Sequence, residues 1–231
     1  MLTARSGERM NIASLTPKEW FSGQLVQIKP KLRGWLHLGA TPLSLAASIV
    51  LVCLAPTTAT KIGSAVYLAC SLILFGVSAT YHRFYWAPRW EIMWKRLDHS
   101  NIFLLIAGTY TPITIALLER FDATVLLSVV WGGALVGILL NLFWPTAPRW
   151  LTTLVYVALG WVAVWYLPQL WVGGGPVVVW LIVAGGVLYT LGAIVYGTKK
   201  PDPSPAWFGF HEIFHAFTVA AWACHCVAVY L

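Results

Sequence analysis

Long apolar runs dominate this chain, and that pattern admits few folds. Seven stretches are apolar enough and long enough to cross a hydrocarbon core, which takes about 20 residues per helical crossing. They lie near 34–54, 62–82, 98–118, 124–143, 150–170, 176–198 and 210–231. In lipid every backbone polar group must find its partner within the protein, so such runs are helices. Of 231 residues, 59% are hydrophobic and only 10% charged, against about 25% charged in a soluble domain. The sequence predicts an all-α integral membrane protein of seven transmembrane helices. Residues 34–231 form the membrane domain, and the loops leave no room for a second one.

Residues 1–33 read as a cytoplasmic N-terminal segment rather than a signal peptide. They are polar, carry six Lys/Arg, and show no apolar run behind the first charges. Thr16-Pro17-Lys18-Glu19 has the residues of a capping box with proline at N1. Phe21, Leu25 and Ile28 follow on one helix face. A short interfacial helix ending at Pro30 is expected.

The net charge of +7 excites no nucleic-acid reading once the charges are mapped. Thirteen Lys/Arg fall in the N-terminal segment and the 83–97, 144–149 and 199–209 loops, and only Lys61 and Arg120 lie on the other side. That asymmetry predicts a cytoplasmic N-terminus and an external C-terminus. Membrane lipids, not nucleic acid, are the expected partners. Cys53, Cys70, Cys224 and Cys226 all lie in apolar spans and give no disulfide framework. The thiols of Cys224-His225-Cys226 point about 200° apart on a helix, which suits core packing rather than one ion.

Ionisable residues inside such spans cost a few kcal/mol each on insertion scales, so they mark sites. Three clusters occur: Ser78 with His82, Asp98 with His99, and His211 with His215. Ser78 and His82 share a helix face, as do His211 and His215. The topology puts all of them at one level, near the cytoplasmic membrane edge. Three imidazoles leaving an open position suit zinc. His82, His211 and His215 are the expected ligands. Asp98 is the expected proton acceptor, and Ser78 stands beside it as a hydroxyl donor. A water acidified by zinc attacks an amide or ester carbonyl. His37 reads as an interfacial residue and His225, about 15 Å deeper than His215, as a hydrogen-bond partner for a neighbouring helix. Because His99 points about 100° from Asp98, Asp98 is the one expected to face inward.

His211-Glu212-Ile-Phe-His215 also matches H-E-x-x-H, with glutamate as base, which makes an intramembrane metalloprotease a rival reading. No Asp or Glu follows Glu212 to serve as a third ligand.

Ser78-x-x-x-His82, the run Asp98-His-Ser-Asn-Ile-Phe-Leu-Leu-Ile-Ala-Gly-Thr-Tyr-Thr-Pro112, and His211-x-x-x-His215 together resemble the bacterial hemolysin III family. That family is related to the progestin and adipoQ receptors, which include the adiponectin receptors. The likeness covers the chain from about residue 33 and is most specific over 98–112. It implies seven helices with the N-terminus inside, in a bacterial cytoplasmic membrane. It implies zinc on His82, His211 and His215, with Asp98 and Ser78 beside its water. In the wider superfamily a similar set hydrolyses lipid amides, and a role in membrane lipid homeostasis follows from the same likeness. The family name records a cytolytic activity, so a pore-forming cytolysin is a second reading. A receptor or sensor braced by structural zinc is a third. Two departures stand out: residues 27–33 are basic where the family often has an acidic, asparagine-containing stretch, and the family needs no acid at Glu212.

Overall fold

The computed structural model describes residues 29–144 and 146–231; the interfacial helix expected within 16–30 lies almost wholly outside them. The described elements are all helical, in the order α1 (Trp35–Leu54), α2 (Thr58–Arg83), α3 (Pro88–Leu117), α4 (Arg120–Phe143), α5 (Arg149–Gly160), a 3₁₀ segment (Trp161–Tyr166), α6 (Leu167–Thr198) and α7 (Phe210–Tyr230). Among the described residues six segments are long and apolar enough to cross a membrane, the fifth being the 50-residue stretch Arg149–Thr198. The protein is an all-α, multi-pass membrane protein.

That fifth segment is too long for one straight crossing, since 50 residues of helix would span about 75 Å. It doubles back. Gly175 sits at φ 76° and ψ 178°, outside the helical region, directly before Pro176. A positive φ is open to glycine, and proline withholds the amide that would continue the helix. The two arms then run antiparallel: the Arg149 guanidinium lies 5.0 Å over the Tyr196 ring, and Trp161 Nε1 donates to Thr190 Oγ1 at 2.9 Å. Where α5 tightens into the 3₁₀ segment, the Tyr110 hydroxyl donates to the Gly160 carbonyl at 2.7 Å and accepts from the Ala163 amide at 2.9 Å. The Tyr110 phenol thus bridges two backbone groups where the helix tightens.

Two local differences from the sequence reading concern helix starts. α3 begins at Pro88, ten residues before the expected span, because Pro88 stands at the first turn and Glu91 follows it there. α2 begins at Thr58 because Thr57 and Thr60 cap each other's backbone amides. Neither signal is apolar, so hydropathy passes over both.

The core that frames the site is built by α1, α2, α3 and α7. Tyr67, Leu74 and Phe75 of α2 pack with Leu105 of α3 and with Trp222 and Cys226 of α7. Trp222 Nε1 donates to Ser71 Oγ at 2.9 Å and the Tyr67 hydroxyl donates to the Trp222 carbonyl at 3.3 Å. Hydrogen bonds between helices take the place of a hydrophobic driving force that lipid does not supply. They tie α2 to α7 in fixed register.

Candidate metal centre

His82 lies at the last turn of α2, held close to the segment before α1. Gly34 adopts φ +80°, and a Cβ on it would stand 2.9 Å from His82 Cβ. Glycine is therefore what lets the chain pass over this histidine.

His211 and His215 occupy the first turns of α7, whose start is anchored by two carboxylates. Asp202 Oδ1 accepts from the Phe210 amide at 2.9 Å, and Glu212 Oε2 accepts from the Gly209 amide at 2.8 Å. The other Glu212 oxygen pairs with Arg33. Lys31 and Leu32 donate backbone hydrogen bonds to Ala206 and Trp207 at 3.0 and 3.2 Å. The approach to α1 and the loop before α7 are thus stitched together below the histidines.

The three histidines expected from the sequence converge. Ligand-capable atoms of His82, His211 and His215 all lie within 4.8 Å of one another, close enough to hold a metal ion. His82 Nε2 and His211 Nε2 are 3.1 Å apart. Two nitrogens bound tetrahedrally at about 2.0–2.1 Å would be separated by about 3.3 Å, so the spacing fits with little adjustment. Imidazole donors suit zinc and not magnesium or calcium, which favour oxygen. His215 Nδ1 is buried and has no hydrogen-bond partner among the described residues.

Asp98 does face inward. Its Oδ2 is 3.6 Å from His82 Nε2 and 3.9 Å from His99 Nδ1, and the buried Ser78 side chain lies beside its carboxylate. His99 turns the other way: Nδ1 meets the Lys95 carbonyl at 2.7 Å and Nε2 the Tyr196 hydroxyl at 2.9 Å. Since a carbonyl only accepts, Nδ1 carries the proton and Tyr196 donates to Nε2. Tyr156 donates to the His99 carbonyl at 3.1 Å and accepts from Asn141 Nδ2 at 3.2 Å. The start of the membrane part of α3 is therefore tied to α4, α5 and α6.

His225 behaves as expected, meeting the Ile182 carbonyl of α6 through Nε2 at 3.1 Å. His37 does not. Rather than an interfacial residue it is 3% exposed, lying flat on His215 with ring centroids 3.8 Å apart. The N-terminal basic residue Arg33 is likewise part of the surroundings, as Glu212's partner. Arg33 had no sequence signal beyond its position, and both roles depend on how α1 meets α7.

An apolar cavity opens at this cluster. It holds about 1000 Å³ of space, its mouth included, with Asp98, His99 and His211 at one end and Tyr189, Trp161 and His225 farther in.

The family model described as haemolysin-III related matches residues 26–226, nearly the whole chain. The chain belongs to the haemolysin III family. Among its relatives is Hemolysin-3 of Bacillus cereus, 31% identical over 194 residues, which span 82% of this chain and 85% of the relative. The Hemolysin-3 homolog of Bacillus subtilis (strain 168) is 31% identical over 192 residues, 81% of this chain and 87% of that one. In this haemolysin III protein the matched region takes in every residue of the cluster, from Arg33 to His215.

Proposed function

We propose that this protein is a zinc-dependent hydrolase of an amide or ester in a membrane lipid. The observation that carries the reading is the Asp98 carboxylate, 3.6 Å from His82 Nε2 and at the end of an apolar cavity. Three histidines alone would serve a structural ion. A carboxylate and a hydroxyl beside them, where a chain-sized cavity begins, suit hydrolysis.

His82, His211 and His215 would hold the ion, and zinc there would supply a Lewis acid able to make a water acidic near neutral pH. Asp98 takes the proton and later returns it to the leaving group. Ser78 orients the Asp98 carboxylate and offers a hydroxyl toward the carbonyl being cleaved. The apolar wall receives the lipid chain and keeps bulk water from the reacting bond. Such an activity would serve membrane lipid homeostasis, in line with the proposed kinship to the progestin and adipoQ receptors.

The site works from one membrane face. We read the 50-residue segment, reversed at Gly175, as two crossings, giving seven in all in the bacterial inner membrane. With thirteen Lys/Arg against two across the sides, the N-terminus and the cluster lie toward the cytoplasm and the C-terminus outside.

Two rival readings meet specific observations. Glu212 is engaged by Arg33 and the Gly209 amide, which counts against a metalloprotease using it as base. The name Hemolysin-3 of the relatives favours a cytolysin. The buried threonines Thr109, Thr111 and Thr218 bond their own helix carbonyls, which commits these hydroxyls within their helices rather than to a pore. A receptor braced by zinc remains the third reading.

The test is to incubate purified protein with N-acyl and ester lipids and follow released fatty acid by mass spectrometry, beside Asp98→Asn. Release by the native protein and a loss of about 10²–10⁴-fold in the variant are expected. Release equal in both would sink the hydrolase reading, as would no release from any lipid alongside leakage of dye-loaded vesicles.

A further inference from the structure

The cavity that begins at Asp98 and His211 runs on into the bundle, and its inner part has a chemistry of its own. A second cavity adjoins it there, and Tyr110, Trp161, Gly186 and His225 line both. His225 stands at the junction. It lies ten residues beyond His215 on α7, about 15 Å along the axis.

Two residues that line this inner part each carry a buried polar atom without a hydrogen-bond partner among the described residues: Tyr189 Oη and His225 Nδ1. Buried polar side chains are nearly always satisfied, and one left alone carries its full desolvation penalty. The two are neighbours, the Tyr189 and His225 rings being 5.6 Å apart. Their hydrogen-bonding capacities differ. His225 Nε2 faces the Ile182 carbonyl at 3.1 Å, which only accepts, so Nε2 carries the proton and Nδ1 presents a lone pair. The Tyr189 phenol donates and accepts. Nor is the imidazole placed by accident of space: a Cβ on Gly185 would lie 2.3 Å from His225 Nε2, so only a glycine there admits it.

We propose that Tyr189 and His225 form a polar subsite for a hydroxyl on the chain of a bound amphiphile, about 15 Å from the histidine cluster. The ligand hydroxyl donates to His225 Nδ1 and accepts from the Tyr189 O–H, satisfying both atoms together. A plain hydrocarbon chain in the same place strips them of water and gives nothing back, which is how a site built for a hydroxyl rejects the analogue without one. The subsite rests on the reading that the cavity takes a lipid chain, but on neither the metal nor the hydrolysis.

Ricinoleate and oleate differ by one mid-chain hydroxyl and are the matched probes. Full-length protein in nanodiscs is loaded with fluorescent parinarate, and each acid is titrated as competitor. Ricinoleate should displace the probe at about tenfold lower concentration, and Tyr189→Phe, which keeps the ring, should bring the two acids to within about twofold. His225→Phe should do the same where it folds. Equal displacement in the native protein overturns the proposal. So does a preference that survives Tyr189→Phe, or failure of both acids to displace the probe. Release is followed on the same native protein, which separates the two readings: a hydroxyl preference kept by native protein that releases no fatty acid from any lipid removes the hydrolase and leaves the subsite standing.

Discussion

His37 and His215 stack face to face, their ring planes 16° apart and their centroids separated by 3.8 Å. One comes from the first helix and the other from the last, so the contact closes the bundle at the level of the candidate metal site. Phe75 meets the His37 ring edge-on at 5.2 Å. Neither His37 nitrogen has a hydrogen-bond partner among the described residues. The ring therefore acts through its flat face, fixing the plane in which His215 presents its nitrogens.

Replacing His37 by Ala should leave the zinc site present but looser. Removing what orients a ligand costs about 10–100-fold in metal affinity, so zinc should be lost to a chelator at lower concentration than from native protein. His37→Phe should recover much of the difference because it restores the stack. Chelator titration followed by metal analysis measures both. Unchanged zinc retention in His37→Ala would show the stack to be incidental.

Purified protein should carry about one zinc per chain on His82, His211 and His215. Because the ligands join α2 to α7, removal of zinc should lower the melting temperature, as loss of any ligand specific to the folded state does. His82→Ala and His215→Ala should lose the metal, whereas His225→Ala should keep it. Full zinc occupancy in His82→Ala would overturn the ligand assignment.

Glu212→Gln should cost stability while sparing activity per folded molecule. The side chain is 1% exposed and pairs with Arg33, itself 20% exposed. Gln still accepts from the Gly209 amide, but Arg33 is left without its countercharge, a loss of about 1–3 kcal/mol for a pair open to solvent on one side. Thermal unfolding beside lipid hydrolysis separates the two effects. Abolished activity in a protein of native stability would restore the metalloprotease reading.

Topology is testable at Gly175. A reporter inserted between Gly174 and Gly175 should be external, as should one fused after Leu231, and one in the 83–97 loop should be cytoplasmic. If Arg149–Thr198 crossed only once, the reporter after Leu231 would instead be cytoplasmic. That result would also separate α7 from the level assigned to Asp98.

Much of this protein is legible in its sequence because the bilayer imposes simple rules. Runs of about 20 apolar residues announce helices. The cost of a polar or ionisable group in hydrocarbon marks Ser78, His82, Asp98, His211 and His215 as site candidates without any knowledge of the fold. Helical periodicity then gives the shared faces of Ser78 with His82 and of His211 with His215, since those depend only on residues four apart. The roles of His37, Arg33 and Tyr196 were decided by tertiary structure alone. His37 meets His215, and Arg33 meets Glu212, across a closure between the two ends of the chain. Tyr196 reaches His99 from a helix 97 positions away. No local pattern encodes such pairs, because they arise from how whole helices pack. The partnering of Glu212 shows the difference most plainly. In sequence it completes a zinc-protease pattern, and only the arrival of Arg33 and the Gly209 amide at its two oxygens makes it a structural anchor.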